Sequence, residues 1–171
     1  MKWLRVGLEI VGAASLLVGM ALVAWIVYGN SSDKVNKATR KDAQFILNGS
    51  GLSTNQDYKI ISSYESSRSL TGDHLDYYCI ELPKFEVAEW AKEEWQNLPE
   101  QNPILAAALQ LAVNDARQQG GDCIPSAEEA NSTAMKLMFL QVVLHSRQAT
   151  AADIILYDPQ KRRLFYVSFK T

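Results

Sequence analysis

The chain is poor in the residues that usually announce chemistry. It has 2 cysteines and 2 histidines in 171 residues. Cys79 and Cys123 are too far apart for a C-x-x-C motif, and with His74 and His145 as the sole imidazoles a zinc site of the usual ligand types is hard to assemble. A clear basic excess is missing too. The formal net charge is -2, which argues against nucleic acid as a main partner. No Gly-rich phosphate loop, internal repeat or low-complexity tract appears. Ser50 lies in Asn-Gly-Ser-Gly-Leu, which lacks the G-x-S-x-G pattern and the preceding strand of a nucleophile elbow. These absences point to no cofactor, no metal and no evident catalytic set.

The most distinctive feature present is apolar. Residues 10–28 read IVGAASLLVGMALVAWIVY without a charge. As a helix they would cover roughly 28 Å, close to the hydrocarbon thickness of a bilayer. Trp3 precedes the run, and Trp25 and Tyr28 end it, as an interfacial aromatic belt would. The expectation is a short tail (1–9), an uncleaved single-pass signal anchor (10–28), a juxtamembrane helix or linker (29–50) and a globular domain (51–171). Val27-Tyr28-Gly29 is a poor cleavage site. The short basic tail, with Lys2 and Arg5, favours a periplasmic or other extracytoplasmic domain, whereas Lys34, Lys37, Arg40 and Lys41 favour the opposite topology. Arg5 and Glu9 are spaced for an interfacial pair. Gly12, Ser15 and Gly19 share a face suited to helix pairing and a homodimer.

Beyond the anchor, the pattern predicts an α+β domain. An amphipathic helix over 31–47, continuous with the anchor or separate from it, should stop at Asn48-Gly49. Strands are expected at 57–67 and 74–82, joined by Ser69-Leu70-Thr71-Gly72-Asp73. Val87, Ala91, Trp95 and Leu98 fall on one helical stripe after Pro83. Asn102-Pro103 opens the next helix, which Gly120-Gly121 ends, and Ser126 with Glu129 forms a capping box. The run 135–145 fits a buried strand or a buried helix, and we read it as a strand. Strands at 152–157 and 164–169 flank the Asp158-Pro159 turn. Together these give an antiparallel sheet of about five strands with two to three helices on one face.

Several residues carry competing meanings. Cys79 and Cys123 could pair in an oxidising compartment, adding roughly 4 kcal/mol on the loop-entropy model, or remain two small buried side chains. Asp73-His74-Leu75-Asp76 clusters polar ligands at a strand start, but a hairpin corner explains them more simply. Tyr77, Tyr78, Trp90 and Trp95 would make an aromatic groove or a core, and Glu86, Glu89 and Glu93 a partner face or a solvated one. Asp115 lies on the apolar side of its helix near the C-terminus, where a negative charge is disfavoured. Lys161, Arg162 and Arg163 at a hairpin tip would meet an acidic partner or guard the hairpin from edge pairing. The strand 164–169 is apolar on both faces except at Ser168, so Leu164 and Tyr166 should face either a partner or the juxtamembrane helix.

The functional expectation is therefore a non-enzymatic, membrane-anchored protein whose extracytoplasmic domain binds another protein, in an envelope accessory or immunity-type role. A long N-terminal helix leading into an antiparallel sheet resembles the type IV pilin and pseudopilin plan, which would imply an assembly subunit. Gly7 followed two residues on by Glu9 departs from that family, where the glutamate stands five residues after the glycine. A membrane-tethered hydrolase is the other alternative, with His74 or His145 as base.

Overall fold

A computed structural model describes residues 2–30, 32–54, 57–69, 71–96 and 102–171, with the side chains of the first helix described over 11–25. It divides into two units, residues 1–32 and 33–171. The first is one helix, α1 (Lys2–Asn30). Among the described residues no helix is long and apolar enough to cross a membrane. This corrects the spanning helix expected at 10–28, and with it the membrane, single-pass and signal-anchor reading. The side chains of Trp3, Arg5, Glu9 and Tyr28 lie outside the described residues.

The second unit is α+β. Its strands are β1 (Lys34–Val35), β2 (Lys59–Glu65), β3 (His74–Glu81), β4 (Lys136–His145), β5 (Gln148–Asp158) and β6 (Arg163–Lys170). They form one six-stranded antiparallel sheet in the order β1-β2-β3-β6-β5-β4. Among the described residues three α-helices join it: α2 (Arg40–Gly49), α3 (Pro103–Gln118) and α4 (Ala127–Ala130). Asn102 caps α3 through its side-chain oxygen, and Thr39 with Asp42 caps α2. The strand β1 and Asn36, at φ 52°, separate α2 from α1, so the two are not continuous.

Helices cover both faces of the sheet, not one. On one face Ala108, Leu109, Ala112, Val113 and Ala116 of α3 pack on Tyr77, Cys79, Ile154, Leu156, Phe165 and Val167. On the other, Ala43, Ile46 and Leu47 of α2 pack with Tyr78, Ile80, Ile155 and Leu164. Side chains alternate along a strand, so β6 is buried on both sides and must be covered twice. That is why 164–169 shows no clean alternation. What lies over Leu164, which is fully buried, is this chain's own α2 face.

The helix expected over 87–98 is a second correction. Over its described part, 87–96, the structure has a 3₁₀ turn at Glu89–Ala91, and Val87 bridges Leu52 while Gln96 bridges Leu137. Tertiary contacts outweigh the helical stripe here. Phe85 stacks on Tyr157 at 4.3 Å and meets Trp95 edge-on at 5.0 Å, so the segment lies across the α2 face as irregular cover. Leu98 lies outside the described residues. Gly51, at φ +70°, admits this cover closely: a Cβ there would clash with the Ala91 Cβ.

Cys79 of β3 is bonded to Cys123 in the loop after α3, closing 44 residues of chain. The bond ties that loop to the α3 face of the sheet. Gly121 lets the loop turn tightly, since a Cβ there would sit 2.6 Å from the Ala116 carbonyl oxygen.

Because α2 is the ordered cover of its face, Leu47→Ala should cost about 2–5 kcal/mol. Urea denaturation checks this, and a loss below about 1 kcal/mol would mean that α2 is not an integral part of the fold.

Candidate functional site

Register aligns the α2 face in rows across three strands. Ile80, Leu164 and Tyr157 form one row, and Tyr78, Tyr166 and Ile155 the next. Asp76, Ser168 and Asp153 form the third. The face thus passes from apolar to polar along the strands. The neighbouring rows on the opposite face, Tyr77–Val167–Ile154 and Leu75–Phe169–Ala152, are apolar but for the Tyr77 hydroxyl.

A cavity of about 320 Å³ opens over the polar row. Asp42, Phe45 and Ile46 of α2 line one side, and Arg68, from the β2–β3 loop, and His74 another. Asp76 is buried, and one of its carboxylate oxygens pairs with the Arg68 guanidinium. Its Oδ1 is buried with no hydrogen-bond partner. Burial pushes the Asp76 carboxyl up from its ordinary value, and Arg68 offsets part of that rise. Tyr166 donates to Asp153 Oδ1 at 3.3 Å. Burial, then the Asp153 charge, raises the Tyr166 hydroxyl. Tyr78 donates to Glu65, which also pairs with Lys34 at 3.0 Å.

His74 Nδ1 lies 2.9 Å from the Gly72 carbonyl oxygen, and Nε2 lies 3.0 Å from Ser168 Oγ. A carbonyl can only accept, so Nδ1 carries a proton and donates to Gly72, while Nε2 shares a hydrogen bond with the Ser168 hydroxyl. The arrangement pairs a hydroxyl with an imidazole, as nucleophilic catalysis requires. Yet Ser168 is in mid-strand, with β3 on one side and β5 on the other. Its neighbouring amides are engaged in ladders and cannot form an oxyanion hole, so the geometry suits binding better than acyl transfer.

No known protein family, curated protein or solved structure matches this chain.

The residues singled out from sequence fall in several places. Leu164 is buried in the α2-face core, and Tyr166 is half-buried at the cavity. Lys161 reaches Glu129 at 3.0 Å, and the Arg162 carbonyl accepts from Leu82 at 2.9 Å. Arg163 opens β6 between Glu81 and Asp158. This hairpin is central, with β6 between β3 and β5, so these residues guard no edge. A Cβ placed on Gly12 or Gly19 would meet nothing within 4 Å, and Ser15 bonds its own helix at Val11. Tyr77 and Tyr78 point to opposite faces, so they do not share an aromatic groove. Trp95 donates to the Ser50 carbonyl, while Trp90 is exposed. Asp115 is half-buried, and burial raises its carboxyl. His145 is exposed at the end of β4.

The edge strand β4 is the other exposed feature. Leu140, Val143 and Leu144 are 36%, 42% and 49% exposed. Among the described residues, the Gln96–Leu137 bridge alone pairs with its outer edge. No charged residue stands between Lys136 and His145. The strand is legible in the apolar run 135–145, but its edge position is not, because strand order is not encoded in local sequence.

The Tyr78–Glu65 bond generates a pH prediction. Tyr78 holds the Glu65 carboxyl below its ordinary value of 4.5, so the stability it confers is present above that pH and lost as pH falls through the folded-state value. Tyr78→Phe should cost about 1–2 kcal/mol at neutral pH. The difference from wild type should narrow below pH 4.5 in denaturation curves taken across that range.

Proposed function

We propose that the domain 33–171 is a non-catalytic binding module that recognises another protein by strand addition at β4. The observation that carries this reading is the apolar outer edge of β4, which among the described residues only the Gln96–Leu137 bridge covers. Natural edge strands are usually kept short or guarded by charge, proline, bulges or a covering element, and of these β4 has the bulges and the single bridge to Gln96. Here β4 is 10 residues long, and its exposed half carries apolar side chains and no charge. Two register shifts, at Phe139/Gln141 and Val143/Leu144, bend it locally. An extended segment from a partner would gain main-chain hydrogen bonds along the edge, with side-chain contacts to Leu140, Val143 and Leu144 giving selectivity.

The Cys79–Cys123 bond supports an oxidising, extracytoplasmic compartment. An envelope accessory factor or an immunity-type inhibitor would work there by this mode. The paired ladders on both sides of Ser168 weigh against the hydrolase alternative.

The test uses the full chain as bait in a native extract, beside a Val143→Lys/Leu144→Lys variant. Both positions are exposed, so the variant should fold with an unchanged circular dichroism spectrum. A specific protein should be retained by wild type about tenfold more strongly than by the variant, and should slow amide exchange in 138–145. Equal retention by both chains, or protection elsewhere, would overturn the reading.

A further inference from the structure

The cavity over Asp76, Ser168 and Asp153 is independent of the β4 edge and departs from the rest of the sheet. A sheet face under a helix is ordinarily apolar, as the α3 face is. The polar row on the α2 face instead places two carboxylates one strand apart on either side of a serine. Asp42 of α2 adds a third carboxylate to the same cavity. Against these three carboxylates stand the Arg68 guanidinium, already engaged by Asp76, and the His74 ring, whose Nδ1 faces the Gly72 carbonyl. The balance of fixed charge is negative.

Asp76 adds a second and separate indication. Its side chain is 10% exposed, and Oδ1 has no hydrogen-bond donor. Buried acceptors almost always have a partner, so an orphan oxygen on a side chain that lines the cavity marks a missing donor. A bare metal ion does not fit: no described cluster of three or more His, Cys, Asp or Glu side chains could hold one. With strands about 4.8 Å apart, the backbones carrying Asp76 and Asp153 stand about 10 Å from one another. The positive charge must therefore arrive on a molecule long enough to span Ser168. Tyr78 and Tyr166, with ring centroids 5.9 Å apart, and Phe45 at the rim supply aromatic surface suited to a cation. A volume of about 320 Å³ lies in the range of small-molecule sites.

We infer that this cavity binds a small organic cation carrying an ammonium or guanidinium group, held between Asp76 and Asp153. N–H donors on the ligand answer the Asp76 and Asp153 carboxylates, and the Ser168 hydroxyl contacts the segment between them.

Agmatine, which carries both a guanidinium and an ammonium group, is the probe, titrated by calorimetry into the full chain. Saturable one-site binding is expected. Asp153→Asn and Asp76→Asn should each weaken it by about tenfold or more, while Asp57→Asn, an exposed acid outside the cavity, should leave it unchanged. Asp153→Asn is the safer variant, because Asp153 is half-buried and forms no described ion pair. Glutarate, a small flexible dianion, should give no saturable heat. Failure of agmatine to saturate at millimolar concentration overturns the proposal. So does equal weakening by Asp57→Asn, which would mean diffuse surface attraction, and so does binding of glutarate, which would make Arg68 the recognising group.

Discussion

The requirement that β6 be covered on both faces governs the rest of this domain. Phe165, Val167 and Phe169 point to one side and Leu164 and Tyr166 to the other, so a single helical layer cannot bury the strand. The two covers are unequal. The 16 residues of α3 reach about 24 Å, whereas the 10 residues of α2 reach about 15 Å. Phe85 and Trp95 extend the shorter cover over Tyr157, at the apolar end. At the other end the cover gives out, and there the sheet turns polar. The cavity is a consequence of this mismatch between a long sheet and a short helix.

Much of the scaffold was legible in local sequence. Asn102-Pro103 marked the start of α3 through a side chain that accepts backbone N–H bonds, and Ser126 with Glu129 marked α4 in the same way. The two-sided apolar character of 164–169 already implied a second cover, because a strand exposed on one face would alternate. The segment 83–96 was misleading for a physical reason. Its apolar residues do sit at helical spacing, but Phe85 and Trp95 gain more from stacking around Tyr157 than a marginal short helix would gain. The run 10–28 misled differently: its composition fits a membrane span, whereas among the described residues no helix is long and apolar enough to cross one.

The candidate site was only half legible. His74 and Asp76 stood out as polar residues in a strand, and Ser168 as the one polar interruption of β6. Nothing local linked them to Asp153, because register joins residues that are far apart in the chain. Asp76 and Ser168 are cross-strand partners, and Ser168 and Asp153 are partners on the next ladder. A one-residue slip of either ladder would send one of these side chains to the α3 face. Bulges in β2 and β4 leave the β3–β6–β5 ladders uninterrupted, so the row is held where the pairing is most regular.

The polar row also lowers the stability that an apolar row would have provided. Burying the Asp76 carboxylate carries a desolvation cost that one ion pair to a half-exposed arginine offsets incompletely, as its raised proton affinity shows. An apolar side chain at 76 would pack against Tyr78 and the α2 cover without that cost. The opposite face shows that this chain can build such rows, since the register positions on the α3 side are almost wholly apolar. A local sacrifice of stability, confined to one face and facing an open cavity, is the pattern expected where a fold yields to recognition.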